Sequence, residues 1–355
     1  MPCYHPITAY RYGSFDKGYQ ITHNPIKGEK MGGQKFQHKC GQCIGCRLDK
    51  AREWSVRCIH EASLYENNCF ITLTFNDDWL YRRKQNPAGF EKGLSDTWSL
   101  QRGKKSEFEL FIKRLRNAYG AGIRFYMCGE YGENCFYCFK NERNCSNEKC
   151  CYKPTIGRPH YHAIIFNHDF LDKRPYKVVN GNRLYTSDAL QDLWTDPQSK
   201  IPMGFCTLGD VTIDSAGYVA RYTTKKVTGK GADEPDPETG LTHYERFDPN
   251  TAEIHILEPE YNNMSRMPGL GMKWLQKFHK EVLVNDSVLA KEYPVPVPKY
   301  YDKLLENIAP LYFDENKQKR IDKAMEHADN NTTERLAVRE MIQEQKAKFL
   351  PRKEN

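Results

Sequence analysis

The chain has 355 residues, enough for one large domain or two modest ones with a real core. Its formal net charge of +7, from 53 Lys and Arg against 46 Asp and Glu, is a mild excess that suits a nucleic-acid partner without requiring one. No apolar run is long enough to span a bilayer, and Met1-Pro2-Cys3-Tyr4-His5 lacks the charged-then-apolar layout of a signal peptide, so a cytoplasmic protein is expected rather than a membrane or secreted one. In a reducing compartment, thirteen cysteines point to metal before disulfides.

Residues 1–39 carry little periodicity and read as irregular or short-stranded. Residues 47–66 read as an amphipathic helix with Trp54, Cys58 and Ala62 on one face. Cys69 to Phe75 is β-branched and aromatic, and polar residues follow it, so a strand is expected there. Residues 81–105 look like an exposed loop. Residues 107–119 have helical spacing, with Phe108, Phe111, Ile112 and Leu115 as the apolar stripe and Gly120 beyond it. Strands are expected at 123–131 and 159–167, with a cysteine-rich insertion over 133–155 between them. Residues 159–167 are apolar on both faces, which places them centrally.

Further on, 185–195 reads as a helix and 204–213 as a strand. Ser215 reads as the N-cap of a helix running to about Val227. Gly, Asp, Pro and Glu dominate 229–250, a loop composition, and 269–284 and 315–349 are helical by pattern, the latter highly charged. The order of elements predicts an α+β fold, an antiparallel sheet with helices on one side. The expected division is an N-terminal Cys-rich segment and helix (1–66), a catalytic domain (67–230) and a C-terminal loop and helical extension (231–355).

Gly157-Arg158-Pro159-His160-Tyr161-His162 leads the central strand. Alternate residues of a strand share a face, so His160 and His162 can grip one divalent ion. A bare His-x-His is more often a packed pair; its place at the head of a buried strand argues for ligation. Glu130, at the end of the preceding strand, supplies a third, oxygen ligand if the two strands pair. Imidazole with carboxylate suits Mg²⁺ or Mn²⁺ acting on a phosphate. Tyr218 and Tyr222 sit four apart on the later helix and so share a face, with Lys225 and Lys226 following. A phenol, with a pKa near ~10, needs a cation, a base or a polarised phosphate to act as a nucleophile. Packing is the commoner explanation of Tyr-x-x-x-Tyr alone.

Phe70-Ile71-Thr72-Leu73-Thr74, Pro159-His160-Tyr161-His162 and Tyr218-Val219-Ala220-Arg221-Tyr222-Thr223-Thr224-Lys225, in that order, resemble the HUH endonucleases that initiate rolling-circle replication. The match is closer to the replication initiation proteins of gokushovirus-type microviruses. It includes Cys40-Gly41-Gln42-Cys43-Ile44-Gly45-Cys46, Gly129-Glu130-Tyr131-Gly132 and the Met-Ser-Arg-x-Pro-Gly run from Met264 to Gly269. The resemblance spans roughly residues 1 to 280. It implies a sheet of about five antiparallel strands of RRM-like, ferredoxin-like type, with the tyrosine helix beside it. It also implies His160, His162 and Glu130 as metal ligands, Tyr222 as first nucleophile with Tyr218 as its partner (an order that could reverse), and Lys225 as an aid to charge. The implied reaction nicks and joins single-stranded DNA through a 5′-phosphotyrosine and leaves a 3′-OH for a host polymerase. The implied setting is a bacterial host cell infected by a bacteriophage, with single-stranded or supercoiled viral origin DNA as substrate.

The chain departs from these relatives between Glu130 and His160, where Cys135, Cys138, Cys145, Cys150 and Cys151 crowd a longer gap. Cys135, Cys138, Cys145 and Cys150 (or Cys151) suit one structural zinc, and Cys3, Cys40, Cys43 and Cys46 a second. Free reduced thiols are the alternative. DNA contacts are expected from Arg158, Arg221 and Lys226, within a wider basic set of Arg114, Arg116, Arg124, Lys225 and Lys230, with Phe75, Trp79 and Tyr161 as stacking faces. No G-x-x-x-x-G-K-[ST] signature appears, so unwinding is left to a host helicase. A non-catalytic, zinc-stapled DNA-binding protein, or a relaxase or transposase of the same chemistry, fits the same residues.

Overall fold

The computed structural model describes residues 3–14, 18–76, 78–80, 99–102, 106–132, 157–179, 181–221, 226–227, 229–248, 253–290 and 292–348. They fall into two compact units, one of residues 3–50 with 310–348, the other of residues 51–309.

In the first unit, β1 (Ile7–Ser14) is the centre of a three-stranded antiparallel sheet, flanked by β2 (Gly18–Thr22) and β3 (Gln34–His38). Between them, α1 (Pro25–Lys30) starts on Asn24, whose side chain accepts the Lys27 amide, with Pro25 at the first helical position. Its Gly28 lies against Tyr10, where a Cβ would stand 2.2 Å from the ring. Helix α2 (Ile44–Ala62), whose residues from Ala51 on belong to the second unit, begins three residues before the expected start, because the Cys43 carbonyl already accepts the Arg47 amide.

The second unit is built on a seven-stranded sheet. In chain order its strands and helices are β4 (Asn68–Thr74), α3 (Glu107–Tyr119), β5 (Arg124–Tyr131), β6 (Pro159–Phe166), β7 (Arg174–Val179), β8 (Asn182–Thr186), α4 (Asp188–Leu193), β9 (Cys206–Gly209) and α5 (Ile213–Arg221). The hairpin of β10 (Glu245–Asp248) and β11 (Glu253–Ile256), β12 (Tyr261–Met264), α6 (Met272–Asn285), the pair β13 (Val288–Ala290) and β14 (Tyr293–Val295), and α7 (Lys299–Ile308) follow. The sheet order is β12-β5-β6-β4-β9-β8-β7, antiparallel throughout. Back in the first unit, α8 (Pro310–Met325) and α9 (Thr333–Lys348) end the described chain.

Three expectations change. The sheet has seven strands rather than about five: to the four read from the sequence (β4, β5, β6 and β9), β12 adds one at one edge and the β7–β8 hairpin two at the other. Tyr261-Asn262-Asn263-Met264 and the exposed Arg174–Val178 have no apolar alternation to announce them. Helices cover both faces rather than one. On one face the odd residues of β4, β5 and β6 (Ile71, Leu73, Phe125, Met127, Tyr161, Ala163 and Ile165) pack on Phe108, Phe111, Ile112 and Leu115 of α3 and on Leu190 and Trp194. On the other, Phe70, Tyr126, Cys128, Ile164 and Phe166 pack on Cys58 of α2 and on Ala216 and Val219 of α5. Every residue of β5 is buried, as a strand sandwiched between two helical layers requires. The charged C-terminal run is two helices, parted by a 3-10 turn at Ala328–Asn331. Asn and Thr favour caps over helix interiors, and the Thr332 hydroxyl accepts the Arg335 amide at the second start.

Two buried polar clusters tie α2 to later elements of the second unit. Glu61 takes the Arg124 guanidinium at 2.5 Å and the Gly271 amide at 2.7 Å. Arg124 also donates to the Pro268 carbonyl at 2.6 Å. The Met264–Gly269 motif is thereby docked through its main chain. Gly271, at φ +79° and with Tyr301 Oη 2.1 Å from where a Cβ would be, completes the turn into α6. At the adjacent residue of α2, His60 stacks on Trp274 with ring centroids 3.5 Å apart, its Nδ1 3.1 Å from the Tyr301 hydroxyl and its Nε2–H directed at the Leu289 carbonyl.

Candidate functional site

The antiparallel register brings the strongest sequence signal together. Glu130 of β5 stands opposite His160 of β6, which stands opposite Thr74 of β4. One pleat along, Cys128, His162 and Thr72 form a parallel row. Directly opposed residues share a face. His160 Nε2 lies 2.6 Å and His162 Nε2 3.1 Å from the same oxygen, Glu130 Oε1. Glu130 and His162 are buried and His160 is half-buried.

The far sides of both rings are held as well. His160 Nδ1 lies 3.2 Å from the Arg158 carbonyl, which can only accept, so Nδ1 carries the hydrogen. His162 Nδ1 lies 2.9 Å from the Thr72 hydroxyl. With Nδ1–H fixed by an outer partner, His160 directs Nε2 at the carboxylate: a proton on Nε2 makes the pair a charged hydrogen bond, and without that proton the Nε2 lone pair and the carboxylate are both free to accept a divalent cation. Burial works to raise the Glu130 carboxyl, but the charges and hydrogen bonds of His160 and His162 outweigh it and hold the group well below the usual carboxylate range. Two imidazoles and an ionised carboxylate are a donor set that Mn²⁺ accepts readily and Mg²⁺ accepts with water completing its shell.

Helix α5 begins at Ile213, three residues before the start expected with Ser215 as N-cap, so Ser215 lies in its first turn. Thr212 and Ser215 exchange hydrogen bonds, the Ser215 amide to Thr212 Oγ1 at 3.0 Å and the Thr212 amide to Ser215 Oγ at 2.8 Å, a reciprocal cap. The cap sets the rotation of the helix, so that Ala216 and Val219 enter the core and half-buried Tyr218 meets the site. The Tyr218 ring is edge-on to His162, with centroids 5.3 Å apart, and also edge-on to Phe70 at 6.3 Å. Arg221 closes the helix, half-buried, and Lys226 is half-buried beyond it. Tyr222 and Lys225 lie outside the described residues, as do Cys135, Cys138, Cys145, Cys150 and Cys151.

The wider basic set divides. The Arg124 guanidinium is buried against Glu61, Arg114 donates to the Leu193 carbonyl at 2.9 Å, and Arg116 donates to the Ile123 carbonyl at 2.9–3.0 Å. These three hold the fold. Arg158 donates to the Phe75 carbonyl at 2.9 Å and stays half-buried beside the histidines. The expected stacking faces are corrected too. Phe75 and Tyr161 are core side chains, 1% and 0% exposed, and Trp79 packs half-buried against the same cluster. Sequence reasoning missed Thr72, the partner of His162. The alternation Thr72-Leu73-Thr74 beside a His-x-His strand is the signal that finds it.

In the first unit, Cys3, Cys40, Cys43 and Cys46 place all four sulfurs within 4.8 Å of one another, with Cys40 and Cys46 Sγ 3.9 Å apart. Main-chain amides point at them: Cys40 to Cys3 Sγ at 3.2 Å, Tyr4 to Cys43 Sγ at 3.3 Å, and Cys43 and Gln42 to Cys40 Sγ at 3.3 and 3.4 Å. Burial pushes the thiols of Cys3 and Cys46 up. At Cys40 burial also raises, but the amides of Cys43 and Gln42 outweigh it and bring the thiol down to about 7.

No family model matches the chain, and no solved structure matches it. Among curated proteins, it is 29% identical over 314 residues to the replication-associated protein VP4 of Bdellovibrio phage phiMH2K, across 85% of this chain and 76% of that one. It is 27% identical over 330 residues to the replication-associated protein ORF2 of Spiroplasma virus 4, across 84% and 83%. A third relative, the replication-associated protein ORF4 of Chlamydia phage 1, is 24% identical over 200 residues, 54% of this chain and 39% of that protein. The resemblance read from the motifs is thus borne out over most of the sequence: the chain is a homologue of the replication-associated proteins of phages.

Proposed function

We propose that this protein initiates rolling-circle replication by nicking and rejoining single-stranded DNA through a tyrosine. The observation that carries the reading is the convergence of His160 Nε2, His162 Nε2 and the Glu130 carboxylate on one point, with the Tyr218 ring against His162. Relatives named for replication favour DNA as the substrate, and no described helix is long and apolar enough to cross a membrane.

Glu130, His160 and His162 would hold Mg²⁺ or Mn²⁺, which when bound makes a phosphate more electrophilic and steadies its growing charge. The chain does the rest. Thr72 and the Arg158 carbonyl orient the imidazoles, and α5 presents Tyr218. The tyrosine oxygen bonds to phosphorus as the bond to the 3′ oxygen breaks. The phenol gives up its proton, the 3′ oxygen takes one up, and the 5′ end remains as a phosphotyrosine. The reverse reaction joins ends. Tyr222 is the proposed first nucleophile and Tyr218 its partner, with Lys225 close in sequence to steady the phenolate and Arg158, Arg221 and Lys226 on the DNA backbone. A host helicase and polymerase in the infected cell complete replication.

The test is incubation with a pool of random single-stranded oligonucleotides and Mn²⁺, followed by a denaturing gel. The wild type is expected to form a DNA-linked band, lost on chelation and in the Tyr218→Phe/Tyr222→Phe double variant. Wild-type adduct levels in the double variant would reject the nucleophiles. Binding with no adduct from any form would support a non-catalytic DNA-binding protein instead.

A second metal completes the proposal. Zinc–sulfur bonds of about 2.3 Å place tetrahedral thiolates roughly 3.8 Å apart, close to the 3.9 Å between Cys40 and Cys46. Cys3, Cys40, Cys43 and Cys46 are assigned a structural Zn²⁺, and Cys135, Cys138, Cys145 and Cys150 a second on spacing alone.

A further inference from the structure

The row that contains the histidines does not stop at Thr74. Continuing the β4–β9 register by one residue from Leu73–Cys206 sets Phe205 opposite Thr74, on the face that carries Glu130 and His160. Phe205 therefore lies two strands from His160, roughly 10 Å away at ordinary strand spacing.

Its main chain is clamped. The Thr74 amide and hydroxyl both donate to the Phe205 carbonyl, at 3.1 and 2.8 Å, and the Phe205 amide donates to the Thr74 hydroxyl at 3.1 Å. The preceding Gly204 lies so close to β4 that a Cβ would stand 2.1 Å from the Thr74 carbonyl oxygen. Yet the Phe205 side chain is 47% exposed. Against it sits Tyr176 of β7, 52% exposed, with ring centroids 5.3 Å apart. Lys177 Nζ lies 5.8 Å from the Tyr176 ring, and Arg183 of β8, the cross-strand partner of Val178, is exposed.

Two large rings in water on a rigid backbone, in line with a phosphate-directed site and bordered by cations, form a surface for flat, negatively charged, sequence-tolerant ligands. We propose that Phe205 and Tyr176 are a stacking platform for bases of the single strand whose phosphate lies at Glu130, His160 and His162. They take the place of the buried Phe75 and Tyr161. This inference rests on the nicking reading for the identity of its ligand, but its test needs no chemistry.

The experiment is fluorescence anisotropy of a labelled, mixed-sequence single-stranded oligonucleotide with full-length protein as purified, without added Mg²⁺ or Mn²⁺, across a salt series. Phe205→Ala and Tyr176→Ala should each weaken binding about tenfold at every salt concentration without changing the salt slope. Lys177→Ala should lower that slope by about one. Phe205→Trp should keep wild-type affinity, and its added fluorescence should be quenched by the oligonucleotide. Leu171→Ala, at a fully exposed apolar site elsewhere, should change nothing. Wild-type affinity in both alanine variants, or unquenched fluorescence in Phe205→Trp, overturns the platform. A wild type that binds in this manner yet forms no adduct with Mn²⁺ counts against the nicking reading alone.

Discussion

The hydroxyl of Thr72 fixes one side of His162 at 2.9 Å. Thr72→Val keeps the strand shape and removes that partner. Metal affinity is expected to fall by about 10- to 100-fold, read as Mn²⁺ binding by calorimetry with the fold intact by circular dichroism. An unchanged affinity would show that β6 alone orients the ring. The buried His60 leads to a pH effect. Burial lowers its pKa to about 4, against a partial rise from the Leu289 carbonyl. The folded value is depressed, so the unfolded chain binds the proton first as pH falls. Stability is then full above about pH 6.5 and is lost toward pH 4. Between about pH 7.5 and pH 5 the loss from this one group is on the order of 2 kcal/mol. Denaturant unfolding of wild type and His60→Gln at the two pH values checks it: the variant's profile should be flatter by that amount. His160, His162 and Glu130 were legible because strand alternation is a strong rule. Thr72 was legible only through the Thr72-Leu73-Thr74 alternation and Phe205 not at all, because their meaning depends on which strand lies beside them, and sequence does not print pairing.

Among the elements, the buried Glu61–Arg124 ion pair sits where α2, β5 and the turn before α6 meet. Removing one partner strands the other charge in the core. Glu61→Gln or Arg124→Met should cost about 3–5 kcal/mol, visible in urea unfolding, whereas a paired apolar replacement of both should recover much of it. A small effect of the single changes would place water in that cluster. The pair also explains what the Met264–Gly269 motif does in this fold, since its carbonyls are what Arg124 grips. Sequence showed the motif and not its partner, 144 residues upstream of Pro268. The central strands and α3 stood out through apolar spacing. The edge strands β7 and β12 did not, because an edge needs no second buried face and so leaves no pattern.

For the molecule as a whole, the first unit has a thin core. Its described buried apolar residues are few and dominated by tyrosines (Tyr4, Tyr10 and Tyr12) with Leu336 and Phe313. A unit of that kind needs a staple. Purified protein is expected to carry zinc, and Cys43→Ser to lose about one equivalent by mass spectrometry together with a lower melting transition. Zinc content equal in wild type and Cys43→Ser would leave these thiols without an ion. The α+β class was legible in the order of elements. The helical cover on both faces was already implied by the two-sided apolar character of 159–167, which a one-sided arrangement cannot satisfy.

The join between β5 and β6 has a consequence for how the site tolerates change. The ladder ends at Tyr131 opposite Pro159, and beyond it the Gly132 amide meets the Arg158 carbonyl at 2.9 Å while the Gly157 amide meets the Gly132 carbonyl at 2.9 Å. That clasp locks the alignment of Glu130 with His160 from inside the hairpin. The alignment of the proposed metal ligands therefore rests on contacts inside this clasp, and closing a longer tether between Gly132 and Gly157 adds little cost, about 0.6 kcal/mol of closure entropy for each doubling in length. Shortening or lengthening the sequence between Gly132 and Gly157 is expected to leave Glu130, His160 and His162 in place.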